Sequence, residues 1–458
     1  MKPRINRRSF VKSGAALSAM AGFNILPASA QSPNEKLNIA FIGCANQGFS
    51  DARAALSNPN VNVVALCDVV PDRADNIKSL ALKQQPNASI PVFDDFRKMF
   101  DKMGDKIEAC TIGVPDHAHF PIAMLAMSLG KHIYVEKPLA HTFEECELLM
   151  AAEKKYKVAC QMGNQGHSAD QRRQFEQWVD RGVLTNVRRV DACMNKGRRW
   201  HPWGKVTSFP EAQKMPAGMN WDAWTGTAPM HSYNSRFDPG NWRGWYDYGN
   251  GAFGDWGPHT LDSVHRFLKL GMPHEIRADK LEGQNDFVYP MASTIAFEFA
   301  ERGPGMPAMS INWYDGTKNR PSKPAELGNS NMPACGKIIY SDDLVIKGGT
   351  HSSGHNIIGG KRAKEIDPEI LKLTGEAKTS RNHMSNFINA AMGKEECNSK
   401  FSVSAPLSQV FALGCIAQRL GGTLQFDPKT QQITNNERAN ELLKGPPPRK
   451  GWEQFYKL

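Results

Sequence analysis

Short apolar runs rich in β-branched residues recur along the first third of the chain: Leu37 to Gly43, Val61 to Asp68, Ala109 to Gly113, Ile133 to Glu136 and Val158 to Met162. Runs of this length with such residues predict buried strands. Between them lie stretches of helical length and pattern, such as Ala118 to Ser128 and Phe143 to Tyr156. Strands separated by helices imply right-handed crossovers and a parallel sheet, the pattern of a nucleotide-binding fold. From about Leu184 the pattern changes to alternation of apolar and polar positions, in Val187 to Asn195, Thr294 to Ala300, Met309 to Tyr314 and Lys337 to Lys347. Period-two segments predict a mainly antiparallel sheet with one face covered, and hence a second domain. Gly316 to Gly336 is expected to be a long loop, and Lys444 to Gly451 a proline-rich tail segment.

The amino terminus follows a different logic. Asn6-Arg7-Arg8-Ser9-Phe10-Val11-Lys12 precedes a weakly apolar stretch from Ala15 to Leu26 and then Ala28-Ser29-Ala30. Paired arginines, a short alanine-rich core and an Ala-x-Ala site predict a twin-arginine export signal over residues 1–30, a mature start at Gln31 and a periplasmic location. Removing it takes Lys2, Arg4, Arg7, Arg8 and Lys12 out of the formal +10. The remaining charge is modest and dispersed, which argues against nucleic acid or a membrane surface as partner. No other stretch is expected to span a membrane. Nine cysteines, an odd number without Cys-x-x-Cys spacing, predict small core residues and no metal site.

The mature chain is too long for one core. The expected organisation is a dinucleotide-binding domain over 36–163, a substrate-binding and oligomerisation domain over 164–440 and a tail over 441–458. In the first strand-to-helix turn, Gly43-Cys44-Ala45-Asn46-Gln47-Gly48, two glycines hold the outer places of Gly-x-Gly-x-x-Gly and Ala45 the middle one. Such a turn brings backbone amides to a pyrophosphate at the helix start. Asp68 ends the next apolar run twenty residues after Gly48. A carboxylate there accepts the ribose hydroxyls and repels a 2′-phosphate, which predicts NAD over NADP.

About ninety residues after the turn, Glu136-Lys137-Pro138 closes the run Ile133-Tyr134-Val135. A lysine at the carboxyl end of such a strand reaches the crevice where cofactor and substrate meet. Together with Val114-Pro115-Asp116-His117-Ala118-His119 and Asp255-Trp256-Gly257-Pro258-His259-Thr260-Leu261-Asp262, these motifs make the chain resemble the Gfo/Idh/MocA oxidoreductases over nearly all of its mature length. The resemblance implies an amino-terminal Rossmann domain and a carboxyl-terminal α/β domain with an open, mainly antiparallel sheet. It also implies homo-oligomers, dimers or tetramers, and NAD(P)-dependent oxidation or reduction of a secondary hydroxyl on a sugar, glycoside or cyclitol. By motif position it makes Lys137, Asp255 and His259 the catalytic set.

The chemistry of these residues agrees with that assignment. Alcohol oxidation needs a base for the hydroxyl proton beside a hydride acceptor. His259 is the natural base, Asp255 one helical turn earlier orients it, and Lys137 stabilises alkoxide charge. Val114, Pro115, His119, Glu136 and Gln165 are expected near the cofactor. His119 alternatively caps its helix, and Gln165, with His167, alternatively forms a turn. Asp262, Trp256 and Arg243 are expected to meet substrate. The glycine-rich stretch Gly249 to Gly257 is expected to be a loop. Trp200, Trp203, Trp221, Trp224, Trp242, Trp245 and Trp256 place seven of the ten tryptophans within 57 residues. Such a cluster either packs on sugar rings or pins an irregular segment.

Export implies a difficulty, since the periplasm offers no exchangeable NAD pool. The cofactor is therefore expected to be tightly held. Family precedents for a closed redox cycle include glycosidases that transiently oxidise the sugar. An NAD-dependent glycosidase is one alternative, disfavoured by Lys137, which that group is not expected to keep. A non-catalytic sugar- or nucleotide-binding protein is another.

Overall fold

The computed structural model describes residues 36–197, 203, 205–351 and 353–458. The expected export signal and Trp200 lie outside the described residues. The first apolar runs form β1 (Leu37–Ile42), β2 (Val61–Cys67), β3 (Val92–Phe93), β4 (Ala109–Ile112), β5 (His132–Val135) and β6 (Cys160–Met162). They pair in the order β3-β2-β1-β4-β5-β6, all parallel. The order reverses between β1 and β4, the switch point at which a doubly wound sheet opens a ligand crevice. Helices Asn46–Leu56 and Asp75–Gln84 cover one face, and Phe96–Met103, Asp116–Ser128 and Phe143–Tyr156 the other. This is a Rossmann NAD-binding domain.

The second domain contains β7 (Val187–Met194), β8 (Glu275–Glu282), β9 (Ala292–Phe299), β10 (Met309–Asp315), β11 (Cys335–Ser341), β12 (Val345–Gly348), β13 (His355–Gly359), β14 (Thr423–Asp427) and β15 (Gln432–Ile433). The order is β13-β12-β11-β7-β10-β9-β8-β14-β15. Among the described strands of this second sheet, only β7 and β10 pair in parallel. Alternate residues such as Val190, Ala192, Ile295, Phe297, Ile311 and Trp313 face a core closed by helices Gly251–Phe267 and Phe401–Leu420. The outer face is closed less completely, as expected of an open, mainly antiparallel sheet.

Two local expectations are corrected. Lys337 to Lys347 is a hairpin: β11 and β12 pair antiparallel across a turn in which the Ser341 hydroxyl accepts from the Asp343 and Leu344 amides. The glycine-rich stretch expected as a loop is instead the start of the helix Gly251–Phe267. Its glycines serve close approach, since a Cβ at Gly257 would lie 2.7 Å from the Phe411 ring.

Late segments return to the nucleotide domain. The helix His383–Ala391 packs Met384, Phe387 and Ile388 onto the face formed by Asn46–Leu56 and Asp75–Gln84. Trp452 and Phe455, beyond the proline-rich segment, are buried with Phe96 and Phe120 in the other face. The helix Phe401–Leu420 is long and apolar enough to cross a membrane by composition, contrary to the expectation from sequence, but it is mostly buried. It packs between Phe143–Tyr156 of the first domain and Gly251–Phe267 of the second.

Candidate active site

The crevice at the switch point holds a cavity of about 520 Å³. Gly43 has φ +83°, and a Cβ there would lie 2.3 Å from the Gly113 carbonyl oxygen, so only glycine lets the β1 and β4 loops meet. A Cβ at Gly48 would lie 2.0 Å from the Gly43 oxygen. The helix Asn46–Leu56 starts at Ala45 without a side-chain cap, and Ala45, Asn46 and Gln47 line the cavity. Uncapped amides at a helix start, facing a cavity, suit the pyrophosphate of NAD. Asp68 lines the same cavity and fixes the turn, accepting from the Cys44 and Val70 amides at 2.9 and 3.0 Å. Val114 and Pro115 form the opposite lip.

At the other end of the cavity the Lys137 ammonium lies 2.6 Å from the Asp255 carboxylate and 3.3 Å from the Asp255 carbonyl oxygen. The pair joins the end of β5 to the helix Gly251–Phe267, and both residues are on the cavity wall. Arg243 lies behind it, donating to both Asp116 oxygens at 2.9 and 3.1 Å, with its other nitrogen 3.7 Å from Asp255. Asp116 also accepts the Asn250 amide. Arg243 thus lines the cavity and holds the two acids in register across the domains.

His259, one turn beyond Asp255, is buried and lies outside the wall of this cavity. Its ring stacks on His351 at 3.8 Å, Trp256 lies edge-on at 6.0 Å, and its Nδ1 has no hydrogen-bond partner among the described residues. Burial, then the Lys137 cation and His351, hold its pKa well below the usual histidine range. The ring is therefore neutral at physiological pH and can accept a proton.

The remaining residues have defined places. Glu136 is a buried hub: its Oε1 accepts from Gln165 at 2.8 Å and Gln47 at 3.4 Å, and burial pushes its pKa up to about 7. Gln47 also bonds Asp51, whose acidity burial and Glu136 weaken further. His119 has both ring nitrogens on backbone carbonyls, Val114 at 2.9 Å and Pro138 at 2.8 Å. It neither caps its helix nor lines the cavity, and instead ties the β4 loop to the turn that carries Lys137. Asp262, expected to meet substrate, is engaged elsewhere: His167 Nδ1 lies 2.9 Å from it and Asn164 3.3 Å. Burial would raise its pKa, but His167 together with Arg172 and Arg266 holds it below the usual carboxylate value.

Most of the tryptophans build a separate aromatic core. Trp224 and Trp245 are buried with Tyr233, Phe237 and Tyr248, and Trp221 stacks on Trp224 at 4.4 Å. Trp224 and Trp242 also reach the cavity, where Arg243 lies over the Trp242 ring at 4.2 Å.

Sequence reasoning missed Asp51, Asp116, Arg73, Asp238 and His351. Asp116 carried a signal, an acid in the first turn of a helix directly after a strand. Asp238 and His351 carried none, because loops far away in sequence bring them in. Among the described residues no cluster of His, Cys, Asp and Glu is arranged to hold a metal ion.

Residues 37–164 match the NAD-binding Rossmann fold of the GFO_IDH_MocA oxidoreductase family, and residues 169–302 match its carboxyl-terminal alpha/beta domain. Together the two matches cover more than half of the chain. A "Glycosyl hydrolase family 109 protein 1" of Shewanella is 28% identical over 221 residues, 43% of this chain and 47% of that protein. An inositol 2-dehydrogenase/D-chiro-inositol 3-dehydrogenase of Lactiplantibacillus plantarum is 32% identical over 126 residues, 27% and 34% of the two chains. The chain thus spans less than half the length of these relatives. Among solved structures, an aldose-aldose oxidoreductase from Caulobacter crescentus superposes with TM-score 0.55 at 16% identity, covering 85% of this chain and 100% of that one. A WlbA dehydrogenase from Chromobacterium violaceum, in complex with NADH and UDP-GlcNAcA, reaches 0.57 at 12% identity, over 88% and 99%. At these identities the structures show the fold.

Proposed function

The chain belongs to the Gfo/Idh/MocA oxidoreductase family and uses NAD, and on that premise we propose that it oxidises or reduces a secondary hydroxyl of a sugar, glycoside or cyclitol. The observation that carries this reading is Lys137, held at the cavity wall by Asp255 opposite the glycine turn. NAD bound along that turn supplies the hydride acceptor. The ammonium has three hydrogens. Asp255 takes two directions through its carboxylate and its carbonyl, which leaves one hydrogen for a substrate oxygen. Lys137 then stabilises negative charge developing there. His259 lies one turn beyond Asp255 and outside the cavity wall, so in this reading substrate binding brings the hydroxyl to it; neutral for the reasons given, it accepts the proton in oxidation and returns it in reduction. Arg243 keeps Asp116 and Asp255 in place.

A second reading is an NAD-dependent glycosidase that oxidises, eliminates and reduces, and the family 109 relatives favour it. One experiment separates the two. The purified protein is mixed with free sugars, cyclitols and aryl glycosides while reduced-nicotinamide absorbance and aglycone release are recorded. Reduction without cleavage supports the dehydrogenase. Cleavage without net reduction overturns it in favour of the glycosidase, and silence in both channels with NAD bound favours a binding protein.

The same proposal places the mature protein in the periplasm, with cofactor retained on the folded chain and subunits paired as dimers or tetramers. The twin-arginine pattern supports the location; cysteines that are all unpaired among the described residues are unusual for an exported protein and fit folding in the reducing cytoplasm before export by that route. Cell fractionation and the solution mass test these two points.

A further inference from the structure

At the adenosine end of the crevice the second domain sends a strap across the cofactor cavity. Residues 238–243 line it together with Asp68 and Arg73 of the nucleotide domain. Asp238 receives both terminal nitrogens of Arg73, at 2.6 and 3.3 Å, while the nearest approach of Arg73 to Asp68 is 3.8 Å. The strap is anchored. The Tyr233 hydroxyl donates to the Asp238 backbone carbonyl at 3.0 Å, and Phe237 beside it is fully buried among Trp221, Trp245 and Tyr248.

We infer that Asp238 is a specificity residue for the cofactor: it holds the Arg73 guanidinium away from the adenosine ribose and adds a second carboxylate beside Asp68. An arginine a few residues past the acid at the end of the second strand is the group that receives a 2′-phosphate in NADP sites. Its planar fork matches a phosphate as well as it matches a carboxylate. Here that fork is already filled by Asp238. One cation between two acids leaves a net negative charge where NADP would bring two more negative charges. Asp68 alone would leave Arg73 available, so the preference for NAD is shared across the domain boundary.

The inference rests on NAD binding and not on the substrate, so binding measurements test it apart from turnover. Full-length protein is stripped of cofactor, and tryptophan fluorescence is used to titrate NAD and NADP into wild type, Asp238→Asn, Arg73→Ala and the double variant. Asp238→Asn is expected to gain at least ~10-fold in NADP affinity relative to NAD, the equivalent of ~1.4 kcal/mol. The double variant is expected to lose that gain, and Arg73→Ala alone to bind NADP more weakly still. An unchanged NADP-to-NAD ratio in Asp238→Asn overturns the inference. So does an equal gain with and without Arg73, because charge removal alone would then suffice. Asp238→Ser carries the same expectations if the asparagine variant does not fold.

Discussion

Two ion pairs of the same length bridge the two domains at opposite ends of one crevice. Lys137 meets Asp255, and Arg73 meets Asp238, each at 2.6 Å from a nucleotide-domain cation to a second-domain carboxylate. They differ in surroundings. At the reactive end the acid is almost completely buried, and a second cation, Arg243, stands 3.7 Å away with its own acid, Asp116, at 2.9 Å, so two cations meet two acids. At the adenosine end one partly exposed arginine serves two acids. The bond is the same, but the charge left over is not. Balanced charge with one directed ammonium hydrogen can stabilise an alkoxide, whereas surplus negative charge selects between two cofactors.

The sharpest way to break this contrast is to remove the cation at the reactive end. Lys137→Ala is expected to lower kcat by ~100- to 1,000-fold while NAD still binds. His259→Ala is expected to fall in the range of ~100- to 10,000-fold typical of a lost general base. A variant with unchanged turnover removes that residue from the mechanism. The pH profile sharpens the same point. A base with a depressed pKa stays neutral as pH falls, so the acid limb of kcat/KM is expected below 6.5, and a limb above that value contradicts the buried environment of His259.

Asp262 tests whether carboxylates on one helix share a task. It lies seven residues beyond Asp255, yet it faces His167 and Asn164. Asp262→Asn is expected to cost ~1–3 kcal/mol of stability, read from denaturant unfolding. A rise in KM with no loss of stability would return Asp262 to the substrate.

The smallest expected effect concerns Asp51. Its pKa in the folded protein is raised by burial and by Glu136, so the native state holds a proton that the unfolded chain gives up. Stability is therefore lost as pH rises above the ordinary carboxylate range and is recovered below it. Asp51→Asn keeps the acceptor for Gln47 and places an amide where Oδ2 has no partner among the described residues. Its melting temperature is expected to exceed wild type by ~1–3 °C at pH 8, with the difference vanishing near pH 4. A constant difference at both values would assign the effect to packing.

Much of this was legible in the sequence, for local reasons. β-branched runs and the glycine turn marked the parallel sheet and the pyrophosphate end, because backbone sterics at Gly43 and Gly48 leave little choice of residue. Lys137 and Asp255 were legible as motifs, and the structure joins them. What escaped depends on contacts between distant segments. The start of the helix Gly251–Phe267 looks like a loop in sequence because two of its glycines answer to distant residues, Gly251 to Tyr289 and Gly257 to Phe411, the latter more than 150 positions away. The break in Lys337 to Lys347 did leave a signal, since Ser341-Asp342-Asp343 carries turn chemistry. His119 was weighed between two roles and has a third, because its partner Pro138 belongs to another loop.

Trp452 and Phe455 pack against Phe96 in the core of the nucleotide domain. During synthesis, then, the cofactor-binding half cannot finish folding when its own residues emerge from the ribosome. Its core closes only once segments that follow the second domain's sheet have also been made.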